Sequence, residues 1–194
     1  ETLITGIGQG YTQTTPLQLC LMTAQIANGG YKIKPKILTN DNELTSKQVK
    51  KAMEDSNLNN SNIPLFDNQK NIKIIQEAMF SSTNELRGTS YKSRIDDPKY
   101  QFAGKTGTAQ VKRISKRERE LDLKTSQIPY EERDHALYVA FGPYKNPRYA
   151  LSIIVEHGGS GSSAAAPMAT KLFKLIVDRH QYRKKLPDYK EFNI

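Results

Sequence analysis

The stretch from Ala103 to Val111 contains the residue types of a site that binds an anion. If it is an extended strand, Lys105 and Gly107 point to one face. Thr106 and Thr108 then point to the other face. The glycine leaves room for a substrate backbone to lie against the strand and pair with it. The hydroxyls and the ammonium group favour a carboxylate, and a backbone N–H at the end of the motif can stabilise an oxyanion.

The triplet Gly-Lys-Thr also ends a phosphate-binding loop, which is the main alternative for this stretch. Such a loop requires a glycine five positions before the glycine that precedes the lysine, and Lys99 stands there. It would also run into a helix, whereas the residues around the triplet are typical of a strand. The sequence therefore favours the strand over a nucleotide site.

The composition indicates one domain. The chain has 194 residues, of which 37% are hydrophobic, and this length gives no reason to expect two domains. Lys and Arg outnumber Asp and Glu by 29 to 20, for a net charge of +9, so an anionic partner is one alternative. Acidic residues interleave with the basic runs, which favours ordinary solvated faces and gives no reason to expect nucleic acid. The single cysteine excludes an internal disulfide.

Helical spacing predicts two helices in the first half of the chain. Thr15 and Pro16 form a helix start, and the apolar positions that follow are Leu17, Cys20, Leu21, Ala24 and Ala27. This pattern predicts a buried helix of about 13 residues with Cys20 as a core thiol. Asp67 is expected to cap the second helix, whose apolar positions are Ile72, Ile75, Ala78 and Met79.

Between these helices the pattern is weaker. Tyr31 to Leu38 alternates weakly and contains Pro35, which predicts an edge strand or an extended segment. Residues from about 40 to 71 are polar and rich in asparagine, which predicts a surface insertion, with a short helix from Ser46 to Glu54.

The second half predicts three strands and a final helix. The strands are Tyr100 to Lys112, His135 to Tyr144 and Arg148 to His157, and the short link between the last two favours an antiparallel hairpin. Ile114 to Asp134 is too charged for a core and predicts an excursion from the sheet edge. A helix with Pro167 in its first turn follows the glycine- and serine-rich residues. The predicted fold class is α+β, an antiparallel sheet covered by helices.

The motifs together resemble a known family. Lys-Thr-Gly on an edge strand is one of three signatures of the penicillin-binding proteins and serine β-lactamases, beside Ser-x-x-Lys and Ser-x-Asn. The resemblance extends over nearly the whole chain, and the motifs follow the order found in class B members. Among these, the chain most closely resembles the elongation-type penicillin-binding protein 2. The matching runs are Gly6 to Tyr11, Thr15 to Leu19, Ala27 to Gly30, Gly104 to Gln110, His135-Ala136, Gly142 to Tyr144, Glu156 and Ala165 to Pro167.

The resemblance implies a role for each motif residue. Lys105 would position the reacting groups and assist the reaction electrostatically. Thr106 and Thr108 would contact the carboxylate of a substrate or β-lactam. The Thr108 N–H would complete an oxyanion hole, and Gly107 would keep the strand open for the peptide.

Several features depart from the family pattern. No Ser-x-x-Lys occurs in the chain, so we expect it to lack an activated nucleophile and to be inactive alone. Ser82-Thr83-Asn84 matches Ser-x-Asn but stands in the wrong order, which indicates a chance match at a helix end. Gly159 to Ser162 replaces a more uniformly glycine-rich run. The three histidines are far apart in sequence and lack a ligand pattern, so no metal is expected.

The implied function is that of a peptidoglycan D,D-transpeptidase, with β-lactams as substrate mimics and no cofactor. The implied location is the periplasmic side of the inner membrane, beside a membrane glycosyltransferase of the elongation machinery. Two alternatives share the motif: a D,D-carboxypeptidase or β-lactamase, which would use water as acceptor, and a β-lactam sensor domain without turnover.

The chain begins with Glu1 rather than Met. The resemblance therefore implies that residues 1–194 are the C-terminal portion of one transpeptidase domain, with the serine and a membrane anchor upstream. An apolar face left uncovered would promote artificial self-association of the chain.

Overall fold

The computed structural model describes residues 2–6, 8–35, 64–112, 120–121 and 123–183. Four α-helices and three strands make up most of this part of the chain. They are α1 (Thr2–Gly6), α2 (Pro16–Ala27), α3 (Gln69–Asn84), β1 (Ala103–Ala109), β2 (His135–Gly142), β3 (Tyr149–Val155) and α4 (Ala166–Arg183). Short 3₁₀ turns occur at Tyr91–Ser93, Thr125–Gln127 and Tyr130–Glu132, and a π-helical turn, Gly161–Ala165, leads into α4.

The strands form one antiparallel sheet in the order β1-β2-β3. Gly104 pairs with Ala140 and Thr108 with Ala136, while Leu137 pairs with Ile154 on the other side. The predicted strands and hairpin are thus confirmed, although each strand is shorter than predicted. The α+β class is confirmed as well.

Helix α4 covers one face of the sheet. Phe102, at the start of β1, stacks on Phe173 of α4 with the ring centroids 4.8 Å apart. The small side chains of α4 let the helix approach the sheet closely, because alanine adds little bulk between helix and strand. The fully buried residues of this layer are Phe102, Ala136, Tyr138, Ala140, Ala165, Ala166, Ala169 and Phe173.

A polar contact also fixes α4 to the segment before β1. Lys99 Nζ lies 2.9 Å from Asp178 Oδ1, and Tyr100 donates its hydroxyl to the same oxygen at 2.6 Å. The hydrogen bonds to Tyr100 and to Asp178 raise the pKa of Lys99 to about 12. Hydrogen bonds from Tyr100 and from Lys99 lower the pKa of the Asp178 carboxyl. Lys99 and Asp178 therefore stay oppositely charged over the usual pH range, and their contact fixes α4 to this segment.

Helices α2 and α3 lie on the opposite face, in a thinner layer. Met79 of α3 packs with Ala103 and Phe141 of the sheet, and Gln76 Nε2 donates to the Ile26 carbonyl at 2.7 Å, which joins α3 to α2. The prediction that α2 is a buried helix is wrong. Thr23 is its fully buried residue, whereas Leu17 is 59% exposed.

Other predictions in this layer need correction or lie outside the described residues. The cap of α3 is Asn68, whose side chain accepts a bond from the Lys70 N–H, and not Asp67. The described residues of the predicted edge strand, 31–35, form a single bridge between Tyr31 and Pro64 and no strand. The rest of that strand and most of the predicted insertion, residues 36–63, lie outside the described part of the chain. Cys20 is half-buried, and burial raises the pKa of its thiol.

The side chain of Tyr138 crosses β1 and reaches the segment beyond the sheet edge. A Cβ at Gly104 would lie 2.3 Å from the Tyr138 hydroxyl oxygen, so the ring fits across β1 because residue 104 is glycine. The hydroxyl lies 3.0 Å from Thr83 Oγ1 at the end of α3 and 3.0 Å from Ser90 Oγ. All three hydroxyls are buried. The contact fastens residues 83–90 to the edge of β1.

Replacing Tyr138 by phenylalanine tests this connection. Removal of the hydroxyl deletes two buried hydrogen bonds, to Thr83 and to Ser90. At about 0.5–1.5 kcal/mol for each bond, we expect Tyr138→Phe to lower the free energy of unfolding by about 1–3 kcal/mol. Urea denaturation followed by circular dichroism measures the change. Tyr11→Phe is the control because Tyr11 is 87% exposed. Equal midpoints for the two variants would contradict the role of the buried hydroxyls.

Candidate active site

The outer edge of β1 carries the functional groups of the predicted site. Within the described chain, β1 has a partner strand on one side. The carbonyl of Gly104 accepts a bond from Thr83 Oγ1 at 3.5 Å, that of Thr106 from Lys105 Nζ at 2.8 Å, and that of Thr108 from Gln9 Nε2 at 3.0 Å. In an antiparallel strand, both backbone groups of one residue point to the same side. The N–H groups of Thr106 and Thr108 therefore point outward too.

The Lys105 side chain lies on the α3 face of the sheet. The pairing of Lys105 with Val139 and of Gly107 with Leu137 sets these four residues on one face, as the alternation predicted. Lys105 is exposed, and its ammonium group bonds to the Thr106 carbonyl. It is therefore a solvent-accessible cation held close to the strand edge.

An apolar groove opens beside Lys105. It has a volume of about 600 Å³ and runs between α2, α3 and the sheet. Its apolar walls are Met22, Ile26, Ile75, Ala78, Met79 and Val139, and its polar rim includes Arg87, Thr89 and Lys105. Two of the predicted apolar positions of α3, Ile75 and Ala78, thus face this groove and not a closed core.

The threonines of the motif lie on the opposite face from Lys105. Thr106 pairs with Tyr138, and Thr108 pairs with Ala136. Thr108 is exposed, whereas Thr106 is half-buried and has its Oγ1 3.3 Å from Oγ1 of Thr89. Both hydroxyls therefore stand at the edge of the strand that carries the outward N–H groups.

Gly107 is supported from below by the π-helical turn before α4. A Cβ at Gly161 would lie 2.7 Å from the Gly107 carbonyl oxygen and 2.3 Å from that of Leu137. The turn therefore touches the strand backbone directly, and a side chain at 161 would push it away. A Cβ at Gly107 itself would meet Leu137 Cβ at 3.3 Å, so the absence of a side chain there leaves the upper face open.

The glycine-rich segment near the start of the chain also reaches the motif. Gly8 has a φ of +77°, a conformation that favours glycine, and the turn that it forms brings Gln9 to the Thr108 carbonyl. The contact lies at the outer edge of β1, at the end of the motif.

Two of the three histidines lie together, although they are far apart in sequence. The ring centroids of His135 and His157 are 4.8 Å apart, and the His157 N–H donates to His135 Nδ1 at 3.0 Å. His157 has a φ of 54°, and its Nδ1 donates to the Arg133 carbonyl at 3.1 Å. This pair closes the end of the β2–β3 hairpin. Within residues 2–6, 8–35, 64–112, 120–121 and 123–183, no group of three or more His, Cys, Asp or Glu side chains could hold a metal ion.

Sequence reasoning identified the strand but missed the residues that surround it. Ser82, Thr89 and Tyr138 were not predicted as parts of the site. Thr89 contacts Thr106, Ser82 contacts Thr89, and Tyr138 bonds to Thr83 and Ser90 in the segment that carries Thr89. Ser82 belongs to the chance Ser-x-Asn match, which lies in the last turn of α3 as predicted. In the sequence, Gly88 before Thr89 indicated only a turn. The hydroxyl residues beside it gave no signal of a site, because such residues are common in loops after a helix.

The fold and the site define a class of protein. An antiparallel sheet between helices, with Lys-Thr-Gly-Thr on its edge strand, is the arrangement of the penicillin-recognising transpeptidases and β-lactamases. The family model for the penicillin binding protein transpeptidase domain matches residues 1–174. The chain belongs to this family, among its class B, penicillin-binding protein 2-like members.

Curated relatives agree with this assignment. The chain is 31% identical over 200 residues to the peptidoglycan D,D-transpeptidase MrdA of Haemophilus influenzae, a match that covers 100% of this chain and 28% of the relative. It is 35% identical over 167 residues to MrdA of Acinetobacter baumannii, covering 85% of this chain and 23% of that protein. The chain thus spans about a quarter of the length of these relatives.

Solved structures show the same fold. The penicillin-binding protein PBP2 in the complex of PBP2 with MreC from Helicobacter pylori superposes with a TM-score of 0.61 at 30% identity, over 95% of this chain and 28% of that one. PBP2 of Pseudomonas aeruginosa, solved in complex with WCK 5153, gives a TM-score of 0.60 at 33% identity, over 90% of this chain and 32% of that one.

In the described residues, no helix is both long enough and apolar enough to span a membrane.

Proposed function

We propose that this chain supplies the substrate-binding edge of a peptidoglycan D,D-transpeptidase. In the reaction, a serine attacks the D-Ala-D-Ala carbonyl of a stem peptide, D-Ala leaves, and the acyl group passes to an amine of a neighbouring stem peptide. The observation that carries the proposal is the outer edge of β1, where the outward N–H groups of Thr106 and Thr108 lie between the Lys105 side chain on one face and the threonine side chains on the other. β-Lactams would bind the same edge.

Each group of the edge has a distinct task in this proposal. The hydroxyls of Thr106 and Thr108 bind the terminal carboxylate of the peptide, and Lys105 adds a positive charge near the reacting centre. The outward N–H of Thr108 stabilises the oxyanion together with an N–H of the attacking serine, an effect worth about 3 kcal/mol in comparable sites. The open face at Gly107 lets the peptide backbone lie against the strand.

The nucleophile comes from outside residues 1–194 in this proposal, because the chain contains no Ser-x-x-Lys. The apolar groove beside Lys105 supports this, since within the described residues it is an uncovered surface next to the cation that would assist the serine. In the longer protein the segment that carries the serine would cover it. The chain alone would then bind ligands weakly and would not be acylated.

The partners of the relatives suggest the setting of the longer protein. A PBP2 of H. pylori has been solved in complex with MreC, and we propose that the longer protein likewise works in an elongation assembly that includes a membrane glycosyltransferase. Peptidoglycan lies outside the inner membrane, so we propose the periplasmic side as the location of this domain.

A fluorescent penicillin tests whether the reacting serine lies outside residues 1–194. We expect the 194-residue chain to remain unlabelled after denaturing electrophoresis, and a longer protein that includes the upstream segment to carry one covalent label. The longer protein should also convert stem peptides to cross-linked products. Labelling of the short chain would contradict the proposed source of the serine, and trimmed peptides alone would indicate a carboxypeptidase.

The charge of Lys105 is tested in the longer protein. Lys105→Ala should slow acylation by benzylpenicillin on the order of a hundredfold, because a group that assists proton transfer and stabilises charge in the transition state is lost. Stopped-flow or competition kinetics give the rate constant. Lys174→Ala removes an exposed lysine from α4 as the control and should leave the rate unchanged. Equal rates for the two variants would exclude the proposed role.

The uncovered groove predicts self-association of the short chain. Its apolar lining and the exposed residues Leu3, Leu17 and Leu86 together form surfaces that a monomer in water rarely leaves open. We expect light scattering to give a mass above that of the monomer, and Ile75→Lys, in the groove wall, to shift it toward the monomer. A monodisperse monomer at all concentrations would contradict this expectation.

A further inference from the structure

Three hydroxyl groups are hydrogen-bonded in series, and the series ends on Thr106. Ser82 Oγ lies 3.2 Å from Thr89 Oγ1, and Thr89 Oγ1 lies 3.3 Å from Thr106 Oγ1. The hydroxyl series begins in the last turn of α3 and ends on the outer edge of β1. Thr89 is thus the link between a helix and a residue of the proposed substrate-binding edge.

The backbone around Thr89 is held tightly against the end of α3. A Cβ at Gly88 would lie 2.3 Å from the Ser82 carbonyl oxygen, so the turn approaches the helix as closely as a glycine allows. The Ser90 N–H and its hydroxyl both donate to that same carbonyl, at 3.0 Å each. Ser90 is in turn bonded to Tyr138. Thr89 therefore stands between two fixed neighbours, in a place set by backbone contacts.

The number of hydroxyl hydrogens sets the direction of these hydrogen bonds when an anion is bound. A carboxylate only accepts hydrogen bonds, and each threonine or serine hydroxyl has a single hydrogen to donate. If Thr106 donates to the carboxylate, it must accept from Thr89, and Thr89 must accept from Ser82. Each donation polarises the next hydroxyl and strengthens its bond to the anion.

We propose that Thr89 is a positioning residue for carboxylate recognition, which orients the Thr106 hydroxyl so that its hydrogen points to the bound anion. The inference rests on the proposed function, because it takes the carboxylate at Thr106 from there. Thr89 itself need not touch the ligand. It acts through Thr106, and Ser82 acts through Thr89.

The test compares acylation of the longer protein by benzylpenicillin and by its methyl ester, which lacks the anionic carboxylate. Thr89→Val keeps the shape of the side chain and removes the hydroxyl. We expect it to lower the second-order acylation rate constant for benzylpenicillin about fivefold to tenfold, the effect of losing one hydrogen bond between neutral groups, here the bond from Thr89 to Thr106. The rate constant for the ester should change less than about twofold, since an ester binds the Thr106 hydroxyl weakly.

Matched variants separate orientation from a structural effect. Thr89→Ser restores the hydroxyl and should restore the rate for benzylpenicillin. Ser81→Ala is the control, because Ser81 lies one position from Ser82 but bonds to Glu85 and not to Thr89. In a double-mutant cycle, Thr89→Val should cause no further loss once Thr106→Val is present, because it acts through the Thr106 hydroxyl.

The outcomes distinguish the inference from the proposed function. If the unsubstituted longer protein is not acylated, the proposed function fails and the inference fails with it. If it is acylated and Thr89→Val slows the acid and the ester equally, or slows neither, the inference alone is overturned. A loss confined to the acid, rescued by Thr89→Ser, and equal thermal midpoints for the variants support it.

Discussion

The crossing of Tyr138 over Gly104 is the contact on which the site depends. It connects β2, the buried middle strand, to residues 83–90, which β1 also contacts through the Gly104 carbonyl at Thr83 and through the Thr106 hydroxyl at Thr89. The ring fits because Gly104 has no side chain, and its hydroxyl is stabilised because it lies among Thr83 and Ser90 in a buried environment. Burial also raises the pKa of Tyr138, which keeps the hydroxyl protonated as a donor.

This connection explains how an exposed edge strand can carry a defined site. A free strand edge offers unpaired backbone groups and is usually protected from other chains. In β1 the outward carbonyls are occupied by side chains from three different segments, namely Thr83, Lys105 and Gln9. These contacts fix the edge in place and leave the outward N–H groups beside the two threonine hydroxyls.

The two faces of the sheet differ in a way that follows from their helices. The α4 face is closed by small residues and stacked aromatic rings, and it contains the large buried side chains of Tyr138, Phe102 and Phe173. The α2–α3 face is thinner and leaves a groove of about 600 Å³ beside Lys105. The closed face gives the sheet its stability, and the open face places apolar surface next to the cation of the motif.

The sequence by itself determined the three strands, the order of the helices and the motif residues, because alternation, helical spacing and turn residues are local signals. It also indicated which face of β1 carries Lys105, since side chains alternate along any strand. Its main error was of burial: α2 has the spacing of a core helix, but only contacts between distant segments decide whether such a stripe is covered. Tertiary structure alone brought Thr89 to Thr106, and Ser82 and Tyr138 to the segment that carries Thr89. Hydroxyl residues have no periodic pattern, and their role depends on which strand edge they meet.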